Sequence, residues 1–197
     1  MTIPNGYHDV GRGKLANVAT FLEMKSPPLP RPDPPGLNCT LERVESPDLA
    51  WYRSLFQRVG EPYLWSSRLS IGDAELQRIL QDPGIEVYVL RAGGEDAGLL
   101  ELDFRVPSQC EIGFFGLLDS MVGTGAGRYL MNRTLERAWT RDVKRVWVHT
   151  CNLDHPAALP FYIRSGFEPY KREVEIYDDP RMTGLQPKSA APDVPIL

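Results

Sequence analysis

The spacing of apolar positions changes several times along the chain, and those changes predict the order of its elements. Val18–Met24 reads as a short strand. Cys39–Glu45 alternates, with Cys39, Leu41 and Val44 apolar, and predicts a further strand. Ser46-Pro47-Asp48 then opens a helix, with Ser46 as N-cap and Pro47 at the first helical position. Leu49, Tyr52, Leu55, Phe56 and Val59 share its buried face, and Gly60 closes it. Glu61–Arg68 is aromatic but aperiodic. A second helix, Asp73–Gln81, carries Leu76, Ile79 and Leu80 inward and stops at Asp82-Pro83-Gly84.

The period then falls to two. Ile85–Arg91 alternates, Gly93–Asp96 reads as a tight hairpin turn, and Ala97–Val106 is its partner. Pro107-Ser108-Gln109 turns the chain into a third antiparallel strand, Cys110–Leu118. A glycine-rich turn leads to a helix whose Leu130, Met131, Leu135 and Ala138 face inward, up to about Arg141. Arg145–Thr150 is a strand, Asp154-His155-Pro156 begins a short helix ending at Ser165 and Gly166, and Phe167–Tyr177 is the last strand. The expected fold is therefore α/β of the α+β type, a mixed and mostly antiparallel sheet with helices on both faces. Residues 1–36 stand apart as an arm, 37–177 form the domain, and 178–197 are a surface-lying or disordered tail. The arm ends in a proline-rich run, Ser26–Gly36, which lacks backbone donors and reads as a stiff strap. Its Phe21 and Leu22 either pack on the domain or reach a second subunit, giving a homodimer through the arm.

Composition narrows the function classes. A net charge of −4 offers no basic surplus for nucleic acid and no polybasic run for a membrane. Three cysteines, Cys39, Cys110 and Cys151, lie far apart in sequence and form no metal-ligand pattern with the three histidines, so no metal is expected. Without an apolar leader or a run of about 18 apolar residues, the reading is cytoplasmic with reduced thiols.

The chemistry concentrates on Glu111–Asn132, EIGFFGLLDSMVGTGAGRYLMN. Gly123, Gly125 and Gly127 crowd a strand-to-helix turn, although each glycine inside a helix costs about 1 kcal/mol against alanine. Glycines there let the backbone approach a ligand, and the N–H groups at a helix start make a phosphate site.

Val122-Gly-Thr-Gly-Ala-Gly127 followed by a helix resembles the pyrophosphate-binding motif of the GNAT superfamily of acyl-CoA-dependent N-acyltransferases. Trp147–Phe167, with Asn152, Tyr162 and Gly166-Phe167, resembles that family's second signature, and the element order is similar from Leu37 to Tyr177. Two departures stand out: Val122 replaces the usual Gln or Arg, and His155 replaces the usual helix-starting Asn.

The resemblance implies acetyl-CoA as cosubstrate and direct transfer of its acetyl group to a primary amine of a small molecule or peptide. It places the diphosphate on Gly123, Thr124, Gly125, Ala126, Gly127 and Arg128. The pantetheine falls along Leu117, Leu118 and Asp119, with Asn152 and His155 nearby, in a gap between Phe115–Asp119 and His149–Asn152. An N–H near Leu118 is the implied polariser of the carbonyl. Glu111 is the implied general base, its pKa raised beside an apolar cleft, and Tyr162 the implied general acid. Cys151 reads as packing. Tyr63, Trp65 and Arg68, with His149, are the implied acceptor-side residues, the aromatics for a flat or apolar part and the arginine for a carboxylate. Two other classes share part of these features: a non-catalytic acyl-CoA-binding or regulatory module on the same scaffold, and a scaffold protein assembling through the proline arm.

Overall fold

The computed structural model describes residues 3–197. Seven strands form one sheet: β1 (Lys14–Met24), β2 (Cys39–Arg43), β3 (Ile85–Ala92), β4 (Glu95–Asp103), β5 (Gln109–Leu117), β6 (Arg145–Cys151) and β7 (Glu168–Asp178). The helices are α1 (Leu49–Gly60), α2 (Ser67–Ser70), α3 (Asp73–Leu80), α4 (Ala126–Ala138) and α5 (Ala158–Arg164). The strand order is β2-β3-β4-β5-β6-β1-β7, antiparallel except for the β5–β6 pair. The expected mixed, mostly antiparallel sheet with helices on both faces is therefore the observed one.

Each face of the sheet has its own core. On one side α1 and α3 press Tyr52, Leu55, Phe56, Leu76 and Ile79 against Val87, Val89 and Leu99. On the other, α4 and α5 bring Leu130, Met131, Leu135 and Tyr162 against Leu22, Leu100, Ile112, Val146 and Val148. Alternation in the strands divides the apolar residues between these two cores.

Several boundaries differ from the sequence reading for identifiable reasons. Helix α1 begins at Leu49 because Asp48, rather than Ser46, is the N-cap, its carboxylate accepting from the Trp51 N–H at 2.9 Å. The β3–β4 turn tightens to Gly93-Gly94, both at positive φ, so β4 starts at Glu95. It stops at Asp103, whose carboxylate takes the Arg105 N–H at 2.9 Å and turns the chain. Helix α5 starts only at Ala158.

The largest differences concern the two ends. The stretch read as part of an arm is an eleven-residue strand, β1, lying between β6 and β7. Leu15, Ala19, Leu22 and Met24 are buried there, so Phe21 and Leu22 pack within their own chain. The strap that follows is tied down at both of its charged residues. Arg31 donates to the Arg164 carbonyl and the Ser165 hydroxyl at the end of α5, while Asp33 takes the Asn132 amide and pairs with Arg133 of α4.

The tail is likewise folded back rather than loose. Asp179 and Arg181 form a buried pair, and Arg181 also donates to the carbonyls of Ala190, Ala191 and Val194. Such a guanidinium organises an otherwise patternless segment, since each donor finds a fixed carbonyl. The tail thereby seats Ala190 and Ala191 on Leu15 and Leu64. Gln186 donates to the Trp65 carbonyl at 2.7 Å.

Candidate active site

Strands β5 and β6 are paired only at Gln109–Arg145, Cys110–Val146 and Glu111–Trp147. Beyond Glu111 they part, and a cavity of about 690 Å³ opens between them. It extends to both sides of the sheet. On the α4–α5 side it is lined by Phe115, Leu117, Met121, Gly123, Gly127, Phe161 and Tyr162; on the other by Tyr63, Trp65, Arg68, Glu101, Asp103, Glu111 and His149.

A backbone irregularity makes this crossing of faces possible. The β4–β5 register shifts between Glu101 and Leu102, so the outward and inward positions of β5 exchange near Gly113. Ile112 therefore joins the α4 core, while Phe114 faces α1 and Phe115 faces α4 again.

At the mouth of the gap the Leu118 N–H is already donated to the Ala97 carbonyl at 2.9 Å. The polarising N–H implied near Leu118 is therefore not that of Leu118 itself. Because backbone groups alternate along a paired strand, Leu117 and Phe115 are the residues whose N–H groups turn from β4 towards the gap. Leu117 lines the cavity, whereas Leu118 packs on the α1 core.

The glycine turn has the backbone that its composition suggests. Gly123 and Gly125 sit at φ +80° and +95°, where a Cβ is strained. Gly125 is the N-cap of α4, and no side chain caps the helix. The first helical bond runs from Tyr129 to Gly125, so the N–H groups of Gly127 and Arg128 have no partner within the helix. Thr124 braces the turn instead: its hydroxyl donates to the Met121 carbonyl and accepts from the Ala126 N–H. Val122 is exposed at the rim of the cavity, and the Arg128 side chain is exposed on the first turn of α4. Asp119 sits before the turn, its carbonyl accepting from Val122.

Glu111 stands where the strands separate, with 27 % of its side chain exposed and its carboxylate 3.9 Å from the His149 ring nitrogen Nδ1. Burial pushes its pKa up to about 7, and the carboxylates of Asp103 and Glu101 add to the rise against Arg105 and Arg68. Asp103 is its cross-strand partner on β4. His149 lies beside Phe21, ring centroids 5.4 Å apart, in an aromatic row that continues to Trp147.

Tyr162 projects from α5 into the same cavity. Its ring packs on Phe115, Phe161 and Phe167. Burial, with Asp154 contributing, raises its pKa well above that of an ordinary phenol. It is therefore protonated throughout the neutral range. Cys151 is also poorly ionised, its thiol pushed up to about 11 by burial and by Asp154, which leaves little thiolate for a covalent relay.

Asn152 and His155 lie next to the gap but are engaged elsewhere. The Asn152 carboxamide oxygen accepts from the Val18 N–H at 2.6 Å, fixing β1 to β6. The His155 ring accepts from the Ala157 N–H at 3.1 Å, a cap on the turn that enters α5.

The acceptor-side loop is built around Trp65. A Cβ on Gly60 would lie 2.4 Å from Trp65, and one on Gly116 would lie 2.4 Å from Val59 and 2.9 Å from the Trp65 ring. The two glycines thus provide the slot that the indole fills. Its N–H points to Asp154 at 3.3 Å, and Asp154 also takes the Thr150 hydroxyl and the Cys151 N–H, both at 2.8 Å. Tyr63 lies against Trp65, its pKa raised by burial and by Asp119 and Asp154.

Arg68 is not free for a substrate carboxylate. It pairs at 2.5 Å with Glu101, which is 1 % exposed and also takes the Tyr52 hydroxyl at 2.5 Å. Glu101, Asp103 and Asp154 were missed in the sequence. The available signal was a charge within the otherwise apolar run Leu99-Leu100-Glu101-Leu102, where the pattern demanded a buried side chain.

A profile of the acetyltransferase (GNAT) family matches residues 50–167. The chain belongs to the GNAT acetyltransferase family. Solved structures agree on the GNAT fold. A GCN5-related N-acetyltransferase from Sphaerobacter thermophilus is similar at TM-score 0.62 and 18% identity, over 92% of this chain and 54% of that one. An IAA acetyltransferase from Bacillus cereus superposes at 0.52 and 22% identity, over 68% of this chain and 79% of the other. An aminoglycoside acetyltransferase from an uncultured soil metagenomic sample, solved with trehalose, gives 0.54 and 21% identity, over 66% and 88%. The chain thus spans little more than half of the Sphaerobacter protein. No curated protein matches it. Among the described residues no group of His, Cys, Asp and Glu could hold a metal ion, and no helix is long and apolar enough to cross a membrane.

Proposed function

We propose that this GNAT acetyltransferase moves the acetyl group of acetyl-CoA directly onto a primary amine of a small molecule or peptide. The observation that carries the reading is a pair of proton-handling groups on one cavity. Glu111, raised to about 7, stands at the parting of β5 and β6, and the protonated Tyr162 hydroxyl lies on the α5 side.

Acetyl-CoA fits the residues present. The unpaired backbone of Phe115 and Leu117 suits the amides of a pantetheine arm. The uncapped start of α4, with the Gly123–Gly125 turn, suits a diphosphate without help from the residue at Val122. When bound, acetyl-CoA supplies an activated acetyl group and a thiolate leaving group. Glu111 takes the proton of the acceptor ammonium, directly or through one water, freeing the lone pair that attacks. The Leu117 N–H polarises the carbonyl, and Tyr162 returns a proton to the departing sulfur.

Incubating the protein with acetyl-CoA and a panel of primary amines, while following free thiol, tests the reading. At least one amine is expected to accelerate thiol release and to emerge acetylated. Binding of acetyl-CoA without turnover on any amine would instead favour a non-catalytic acyl-CoA module. Tyr162→Phe keeps the ring packing and removes only the hydroxyl. With a good acceptor it should lower kcat by about 10²-fold, the low end of the usual range for acid catalysis, and leave acetyl-CoA affinity unchanged by calorimetry.

A further inference from the structure

Five carboxylates line the cavity, on Glu101, Asp103, Glu111, Asp154 and Glu175, against three guanidiniums, on Arg68, Arg105 and Arg164. The pairing is uneven. Arg68 is taken by Glu101 and Arg105 by Asp103, both at 2.5 Å. Asp154 is held by Thr150, Cys151 and Trp65. On the acceptor side this leaves Glu111 and Glu175 without a guanidinium partner among the described residues.

Glu175 has a built neighbour. Asn17 on β1 faces it directly across the β1–β7 register and donates its amide to the carboxylate at 3.0 Å. Because a carboxylate only accepts, this contact fixes which end of the Asn17 amide is nitrogen. Asn17 is 5 % exposed and lines the cavity, and its Oδ1 is buried with no hydrogen-bond partner among the described residues. Buried acceptors left unmatched cost free energy, so this one points to a missing donor. Tyr177 lines the same end of the cavity, its hydroxyl beside the Asn17 amide and near Glu175. A buried amide oxygen, a carboxylate and an aromatic ring together select a group that donates and carries positive charge.

We infer that Asn17 and Glu175 form a second-cation subsite, so that the acceptor is a diamine or polyamine. One of its amines reacts at the gap while another ammonium rests on this pair. The inference rests on the acetyl-transfer reading and narrows its substrate class. The sheet sets the spacing. Cys151 at the gap is opposite Ala19, and Asn17 lies two residues further along β1 on the same face, with Glu175 one strand beyond. At about 4.8 Å per strand and 3.3 Å per residue the subsite lies roughly 8–12 Å from Cys151, which stands four residues beyond Trp147 as Phe115 stands four beyond its partner Glu111, and that is the reach of an extended diamine from the Phe115 end of the gap. Asn17, Glu175 and Tyr177 all fall outside the 50–167 family match, so the subsite is built from this chain's own terminal strands.

The test compares kcat/KM for hexamethylenediamine, octamethylenediamine and spermidine with that for hexylamine and octylamine, in the wild type and in Glu175→Gln. Glu175 is exposed on the edge strand, so the variant should fold. The wild type should prefer the diamines by about 10- to 100-fold, as expected for a hydrogen bond to a charged group. Glu175→Gln should bring that ratio close to one, mainly through a higher KM for the diamines. Acetylation of monoamines and diamines at equal efficiency, or an unchanged ratio in Glu175→Gln, overturns the subsite and leaves the acetyl-transfer reading standing. Acetylation of no amine at all overturns both.

Discussion

Replacing Glu111 by glutamine should lower kcat/KM by about 10²-fold or more, the usual scale for losing a general base, with acetyl-CoA binding intact. The substitution keeps the shape of the side chain and removes only its ability to accept and hold a proton. The pH dependence separates this role from a merely structural one. The wild-type rate should carry an acid limb near pH 7, set by burial of Glu111 and by the neighbouring Asp103 and Glu101 carboxylates. The limb should be absent from the variant.

Stability should move the other way. The folded chain keeps the Glu111 proton to about pH 7, against 4.5 for the free side chain. Between those values the native state binds more protons than the unfolded one, so stability falls as pH rises through that window. Glutamine has no such penalty, so the variant should gain on the wild type above pH 7 in thermal melts. Full activity across pH in Glu111→Gln would remove Glu111 from the mechanism.

Replacing Arg68 by methionine should produce the largest loss of stability. Glu101 is 1 % exposed, and among the described residues Arg68 is its only charged partner, so the variant leaves the Tyr52 hydroxyl alone to face a buried carboxylate. Breaking a buried pair from one side typically costs 3–5 kcal/mol. With Tyr52 retained, about 3 kcal/mol is expected, which for a chain of this size is a drop of roughly 6–12 °C in Tm. Adding Glu101→Gln should restore much of it, because the carboxamide oxygen still accepts from Tyr52 without a charge to bury. A single variant losing less than about 1 kcal/mol would show that the pair does not hold the acceptor wall. The KM for the acceptor should rise with the loss, since Arg68 also lies over Phe114, 5.0 Å from the ring.

The local chemistry of this chain was more legible than its long-range pairing. The face of α1, the β3–β4–β5 meander and the glycine turn each announce themselves within a dozen residues, through period or through φ > 0 demands. The gap between β5 and β6 followed from the family resemblance. What escaped was set by partners distant in sequence. Nothing in Lys14–Met24 says that it inserts between β6 and β7, because its alternation is broken and its neighbours are more than 120 residues away. The tail has no period at all, and its order comes from one buried arginine gathering carbonyls.

The same reasoning explains the errors within the site. Arg68 reads as a substrate ligand until Glu101 is seen to occupy it, and which N–H near Leu118 is free stays open until Ala97 is seen to take that of Leu118. Asn17 carries no signal in sequence because its meaning lies in an oxygen that no described residue satisfies.

A crystal structure with CoA bound would show where the cofactor and its sulfur lie. The diphosphate is expected on the Gly123–Arg128 turn and the pantetheine between Phe115–Leu117 and β6. The sulfur should lie within hydrogen-bond reach of the Tyr162 hydroxyl, on the path towards Glu111. CoA held elsewhere, or a sulfur turned away from both residues, would contradict the proposed mechanism.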